Sequence, residues 1–154
     1  MVQQVYTTLE IAAPPEKVRE FFLDTSKWPS WPEIIQLTRL DPKDNSPVKV
    51  GEKLKINVGG TIIYPTIVTN TPTTVAWHGS VKRVIVGTHI FEFFPSEDPM
   101  NPGGTKLVHR EDFTGVLVFL MKDGWPAWAG GQRVLTEARY KAFNEFLKGA
   151  VERL

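Results

Sequence analysis

Three side chains able to exchange protons, His89, His109 and Glu111, lie in two consecutive segments that alternate polar and apolar residues, 83–94 and 105–114. A hairpin with its turn near residue 100 would set His89 opposite Glu111, with all three side chains on one face. A histidine beside a carboxylate can orient a ligand hydroxyl or carbonyl, or act as acid and base. Such a pair can equally be a structural hydrogen bond that stabilises the hairpin.

The same face of the predicted hairpin is otherwise apolar, whereas the opposite face carries most of the charged residues. The apolar face is therefore expected to be concave and to line a pocket, with Trp77 of the preceding strand beside His89. Tyr140, at the edge of the last helix, is expected to cover the pocket mouth. The predicted ligand-contacting residues are Trp77, His89, Phe91, Phe93, Leu107, His109, Glu111, Phe113 and Tyr140.

Tyr64 is a further candidate proton donor if its side chain points inward; an outward tyrosine on a pleated surface is the equal alternative. His78 falls on the face opposite Trp77 and is expected to face solvent. The histidines have no close metal-ligand spacing and the chain has no cysteine, so no metal site is predicted. The phosphate-loop pattern is missing as well, so the sequence predicts no nucleotide and no other cofactor.

Seven strands are predicted to position these residues, at 2–12, 36–40, 52–58, 61–69, 74–80, 83–94 and 105–114. Short turns join most of them, which favours an antiparallel sheet. A short helix is expected after Pro14 and Pro15, and Trp28 and Trp31 are expected to pack it onto the sheet. Helical spacing over 132–154 predicts a long final helix whose apolar stripe is centred on Leu135, Ala138, Ala142, Phe146, Ala150 and Leu154 and is widened by Val134, Phe143, Leu147 and Val151.

Length and composition predict one domain spanning residues 1–154. The chain has 154 residues, 42% of them hydrophobic, which suffices for a core without disulfides. Its net charge of +1 does not favour a nucleic-acid partner. No targeting signal and no membrane-spanning run is recognised, so a cytoplasmic location is expected. The oligomeric state cannot be derived from these features.

Several short segments, taken in order, resemble the START-like (SRPBCC, helix-grip) superfamily, and in particular its polyketide cyclase/dehydrase-type branch. These segments are 11–18, 24–31, 50–52, 75–77, 87–91 and 104–115, and the C-terminal helix with Tyr140, Phe143 and Asn144 continues the resemblance. The resemblance implies an α+β fold in which a seven-stranded antiparallel sheet wraps around a long C-terminal helix, with one or two short helices after the first strand. It also implies an apolar cavity between the sheet and that helix.

The resemblance implies binding of a small hydrophobic molecule, such as a polyketide, terpenoid, sterol, lipid or quinone. The alternative is a cyclase, dehydratase or isomerase in the same cavity, with His89, Glu111 and Tyr64 moving protons. A second alternative is an adaptor that works through an apolar surface patch at 116–128. The glycines and proline at 124–131 depart from the family pattern, and Trp125 and Trp128 beside them are candidate lid residues.

Overall fold

The computed structural model describes residues 3–81, 85–115 and 127–154. Its strands are β1 (Gln3–Ile11), β2 (Gln36–Arg39), β3 (Leu54–Val58), β4 (Thr61–Ile63), β5 (Thr66–Asn70), β6 (Thr74–Val81), β7 (Ile85–Pro95) and β8 (Thr105–Thr114). Its helices are α1 (Pro15–Phe22) and α2 (Ala127–Glu152), and a 3₁₀ turn occupies Trp28–Ser30. The predicted α+β class, with its long C-terminal helix, is confirmed.

The strands form two antiparallel sheets, so the prediction of one seven-stranded sheet is wrong. The larger sheet has the order β1-β8-β7-β6-β5 and the smaller has the order β2-β3-β4. The predicted strand 61–69 is divided at Pro65, because proline has no N–H to continue the ladder. Pro65 still accepts a hydrogen bond from the Leu54 amide at 2.9 Å, and Glu52 accepts one from Ile67 at 2.8 Å. These bonds hold the two sheets side by side.

The β7–β8 hairpin has the predicted register. His89 is paired with Glu111, and Phe91 with His109. On the other side of β7, Trp77 is paired with His89. The alternation of side chains along each strand therefore brings the predicted polar residues to one face of the sheet.

An aromatic cluster forms the core between that face and the helices. The Phe22 ring of α1 lies 4.6 Å from Phe91 and 5.6 Å from both Phe93 and Trp31, measured between ring centroids. Trp28 and Trp31 are both buried, which confirms their predicted packing role. The short helix is thus fixed to the sheet by rings and not by its own eight residues, which are too few to be stable alone.

Helix α2 begins at Ala127, five residues before the predicted start at Gln132. It passes through Gly130 and Gly131, because glycine disfavours a helix by only about 1 kcal/mol per residue and still adopts helical dihedral angles. The centre of the predicted stripe is wrong: Leu135 and Leu154 are 44% and 72% exposed. The buried face consists of Tyr140, Phe143, Asn144, Leu147 and Val151. The larger side chains set this face, and the alanines lie at its margin or outside it.

No helix within the described ranges is long and apolar enough to cross a membrane.

Candidate functional site

Five polar side chains form a continuous file through the interior, which we call the buried polar chain: Thr7, Asn144, His109, His89 and Glu111. Asn144 Nδ2 donates to Thr7 Oγ1 at 2.9 Å, and its Oδ1 lies 2.6 Å from His109 Nδ1. The Nε2 atoms of His109 and His89 are 2.5 Å apart. His89 Nδ1 lies 3.5 Å from Glu111 Oε2. Because each contact links two different elements, the buried polar chain forms only in the complete fold.

Sheet geometry explains how these elements meet. His109 lies opposite both Phe91 of β7 and Thr7 of β1, so β8 runs between the other two strands. Thr7 Oγ1 donates to the carbonyl oxygen of His109 at 2.8 Å and anchors that end. Asn144 joins the buried polar chain from α2, which packs on this face of the sheet. Helix docking therefore completes the buried polar chain.

Aromatic rings enclose the two imidazoles. The Tyr140 ring stacks on His109 at 4.3 Å and lies 4.8 Å from His89, centroid to centroid. Phe91 stacks on both imidazoles, at 4.1 Å from His109 and 5.0 Å from His89. Tyr140 is only 2% exposed, so it belongs to the core and the prediction that it covers the mouth is wrong. The Tyr140 ring points inward because it lies on the side of α2 that packs against the sheet.

Burial determines the charge states along this file. Desolvation lowers the pKa of His109 to about 3, partly opposed by its hydrogen bond with Asn144. Desolvation also holds the pKa of His89 well below its ordinary value, and the neighbouring His109 adds to this effect. Desolvation, with a smaller contribution from Asp112, raises the pKa of the Glu111 carboxyl to about 8. At neutral pH the site thus contains two uncharged imidazoles and a carboxyl that retains its proton.

Glu111 borders a cavity of about 30 Å³. The cavity is lined by Ile63, Trp77, Gly79, Ser80, Gly87, Glu111 and Phe113. A methyl group at Gly87 would collide with Glu111 Oε1, so this glycine makes room for the carboxyl. The Glu111 side chain is 15% exposed, whereas that of His89 is 4% exposed. Glu111 is therefore the end of the buried polar chain that meets the cavity.

The remaining predicted ligand contacts divide between this cavity and the core. Trp77 and Phe113 line the cavity together with Glu111. Phe91, Phe93 and Leu107 are almost completely buried in the core cluster and are not part of that lining. His89 and His109 are not part of the cavity lining; they follow Glu111 in the enclosed part of the buried polar chain.

Tyr64 is 55% exposed and lies between β4 and β5, so the inward alternative is wrong and its hydroxyl does not reach the buried polar chain. The break at Pro65 removes Tyr64 from the strand whose alternation was used to place it. His78 is exposed, as predicted, and its Nδ1 lies 2.8 Å from Thr88 Oγ1. In the described part of the chain, no group of three or more His, Cys, Asp or Glu residues could hold a metal ion.

Trp125, a predicted lid residue, lies outside the described residues, as does most of the proposed adaptor patch at 116–128. Trp128 lies in the first turn of α2, but its side chain is not described. Both lid assignments stay predictions.

Sequence reasoning assigned no role in the site to Asn144 or to Thr7. Asn144 lies four residues after Tyr140 and three before Leu147, which places a polar side chain in the middle of the buried face of α2. Such a residue needs a buried partner, and this requirement was the available signal. Thr7 gave no comparable signal, because threonine is common in strands.

Residues 2–152 match the family model described as "Polyketide cyclase / dehydrase and lipid transport", and the chain belongs to this family. A comparison with curated protein sequences finds no match. Among solved structures, the chain is similar to the di-domain ARO/CYC StfQ of the steffimycin biosynthetic pathway. The TM-score is 0.71 at 15% identity, over 99% of this chain and 52% of that one.

Two further structures cover nearly whole chains. The Zhui aromatase/cyclase from Streptomyces sp. R1128 is 17% identical, with a TM-score of 0.65 over 99% of this chain and 95% of that one. A START superfamily protein from Mycobacterium smegmatis is 18% identical, with a TM-score of 0.65 over 97% of each chain. At these identities the similarities show the fold and not a shared reaction.

Proposed function

We propose that this protein binds a small hydrophobic molecule and holds one uncharged oxygen group of that molecule with the Glu111 carboxyl. The observation that carries the proposal is the Glu111 carboxyl at the wall of an otherwise mostly apolar cavity, where burial raises its pKa to about 8. Family membership supports a hydrophobic ligand, because the family description includes lipid transport as well as cyclase and dehydrase activity.

The size of the cavity defines which part of the ligand enters it. A volume of about 30 Å³ accommodates roughly one water or one hydroxyl group. The apolar body of the ligand would then lie over Ile63, Trp77 and Phe113, which surround the carboxyl. Its oxygen group would occupy the space beside Glu111.

The charge of the site favours a neutral oxygen group over an anionic one. A carboxyl that retains its proton donates a hydrogen bond to a carbonyl or accepts one from a hydroxyl. A carboxylate ligand beside Glu111 would face repulsion whenever Glu111 ionised. We therefore favour alcohols, phenols and ketones over fatty acids.

A matched pair of probes tests the proposal. 2-Naphthol and 2-methylnaphthalene have similar size, and only the first carries a hydroxyl group. We expect the wild-type protein at pH 6.5 to bind 2-naphthol about fivefold more tightly, the effect of one net hydrogen bond. Tryptophan fluorescence titration and calorimetry measure both affinities, and native mass spectrometry of freshly purified protein identifies any molecule that is retained.

Two variants isolate the role of Glu111 in this preference. Glu111→Leu is expected to bind both probes equally. Glu97→Gln, at an exposed loop position, is the matched control and should keep the wild-type preference. Failure of both probes to bind the wild-type protein would contradict the binding proposal. A hydroxyl preference that survives Glu111→Leu would contradict the assignment of Glu111.

A second candidate function, proton transfer, is favoured by the position of His89 Nδ1, 3.5 Å from Glu111 Oε2. In an enolisation, the protonated oxygen of Glu111 would give its proton to a substrate carbonyl oxygen while the other oxygen of the same carboxyl takes a proton from the adjacent carbon. Glu111 then carries one proton again and ends in its starting state, and His89 Nδ1 behind it holds the carboxyl in position. This scheme predicts that Glu111→Gln retains probe binding but abolishes proton–deuterium exchange at the α-carbon of a bound ketone such as 2-tetralone. Exchange equal to the buffer rate in the wild-type protein would exclude it for that ketone.

A further inference from the structure

We infer that Asn144 is a positioning residue: acting through His109, it fixes His89 in the tautomer that carries its proton on Nε2 and turns a bare Nδ1 toward Glu111. This inference deepens the proposed function, on which its relevance to a ligand rests. The inference itself concerns the ligand-free protein and can be tested there.

Thr7, at the end of the buried polar chain farthest from the cavity, sets the donor-to-acceptor direction of its hydrogen bonds. The Thr7 hydroxyl uses its only proton on the carbonyl oxygen of His109. It must therefore accept from Asn144, and the amide nitrogen of Asn144 lies 2.9 Å away. This leaves the amide oxygen of Asn144 directed at His109 Nδ1.

That amide oxygen decides both imidazole tautomers. An oxygen acceptor at 2.6 Å requires a proton on His109 Nδ1. Because burial keeps His109 neutral, its Nε2 then carries a lone pair. His89 Nε2, at 2.5 Å, must supply the proton of that contact. A neutral His89 has only one ring proton, so its Nδ1 is an acceptor.

Glu111, at the cavity end of the buried polar chain, is compatible with a His89 that carries its proton on Nε2. The Glu111 carboxyl retains its proton at neutral pH and faces the bare Nδ1 of His89 at 3.5 Å. This separation is at the outer limit of a hydrogen bond, so the carboxyl is free to turn toward a ligand. Among the described residues, the titratable groups that face His89 are Glu111, His109 and the Tyr140 ring.

If the hydrogen bonds of the buried polar chain ran in the opposite direction, the bond between the Thr7 hydroxyl and the His109 carbonyl would be lost. With the Asn144 amide turned over, the Thr7 hydroxyl would have to donate to Asn144 and would give up its bond to the His109 carbonyl. His89 would then carry its proton on Nδ1 and donate it toward Glu111, a bond that is strongest when the acceptor is an ionised carboxylate. A carboxylate in this mostly buried position is disfavoured at neutral pH, because burial raises the pKa of Glu111.

Long-range ¹H–¹⁵N correlation spectra of the imidazole rings test the inference directly. At pH 6.5 and without ligand, the wild-type protein should show a protonated Nε2 for His89 and a protonated Nδ1 for His109. Asn144→Leu removes the amide from a buried site of similar volume, and we expect both histidines to become tautomer mixtures. Asn144→Asp keeps an oxygen acceptor opposite His109 Nδ1 and should restore single tautomers.

Two results would overturn the inference: the opposite tautomers in the wild-type protein, or single wild-type tautomers that persist in Asn144→Leu. If Asn144→Leu does not fold, Thr7→Val replaces it, because loss of the hydroxyl frees the amide to turn and should also produce mixtures. Probe binding separates the two proposals. Wild-type protein that binds no 2-naphthol contradicts the proposed function and leaves the tautomer result unaffected.

Discussion

Two polar clusters in this protein accommodate buried ionisable side chains in opposite ways. At the edge of the small sheet, the Arg39 guanidinium is 5% exposed and pairs with both carboxylate oxygens of Glu52, at 2.9 and 2.8 Å. It also donates to the carbonyl oxygens of Asp44 and Ser46. In the buried polar chain, by contrast, the ion-pair partner of Glu111 among the described residues is His89, which burial keeps uncharged at neutral pH.

The difference appears in the protonation equilibria. The hydrogen bond to Glu52 raises the pKa of Arg39 and outweighs the opposing effect of burial, so its charge is secure. Burial instead drives His89 and His109 toward neutrality and raises the pKa of Glu111 to about 8. A buried group with a matched counter-charge keeps that charge, whereas the Glu111 carboxyl, without one, loses its proton only near pH 8. The second arrangement suits a binding or catalytic site.

The largest effect is expected where the counter-charge is removed. Arg39→Met should lower the free energy of unfolding by about 3 kcal/mol, because it leaves the partly buried Glu52 without a partner. Arg110→Met is the control: its guanidinium pairs with Glu92 and Asp112 but is 24% exposed. We expect that variant to cost less than about 1 kcal/mol. Urea unfolding measures both, and equal costs would contradict the contrast between the buried Arg39 pair and the partly exposed Arg110 pair.

A pH dependence of stability is the next effect. The histidines have folded-state pKa values below the ordinary 6.5, so their contribution is present above pH 6.5 and is lost as pH falls toward 3. Glu111 has a folded-state pKa of about 8 against 4.5, so its contribution is present below pH 4.5 and is lost as pH rises through 8. Two histidines outweigh one carboxyl between these windows, so stability should be greatest near pH 6.5.

Thermal unfolding from pH 3 to 9 measures this profile. We expect the wild-type Tm to fall by roughly 3 °C between pH 6.5 and 8.5, about the effect of 1 kcal/mol on a domain of this size. In Glu111→Gln that fall should disappear, while the fall below pH 6.5 stays. Glu97→Gln should retain both. A wild-type decline above pH 6.5 that persists in Glu111→Gln would assign it to another group.

The smallest effect on stability is expected at the cavity itself. Gly87→Ala should cost about 1 kcal/mol, since the added methyl group must displace the Glu111 carboxyl. It should also abolish the preference for 2-naphthol over 2-methylnaphthalene. Gly149→Ala is the control: its methyl group would meet only the end of the flexible Arg153 side chain. Unchanged probe selectivity in Gly87→Ala would show that the space beside Glu111 is not where the hydroxyl binds.

Local sequence patterns predicted much of this arrangement. Period-2 alternation placed His89 opposite Glu111 and Phe91 opposite His109, because a hairpin register follows from the position of its turn. Helical periodicity predicted α2 but misplaced the centre of its buried face, because several faces of that helix carry apolar residues; Phe143, Leu147 and Val151, predicted at the margin of the stripe, are buried. Tyr64 was placed by extending a strand through Pro65, where the missing N–H ends the pairing.

The sequence by itself determined the α+β class, the hairpin register and the family, since these depend on residues close together in the chain or on their order. Tertiary structure alone decided that His109 contacts His89, that Asn144 of α2 completes the file, and that Thr7 of β1 sets its direction. These contacts join residues as many as 137 positions apart. Burial on folding then removes water from the imidazoles and the carboxyl, and this desolvation shifts their pKa values.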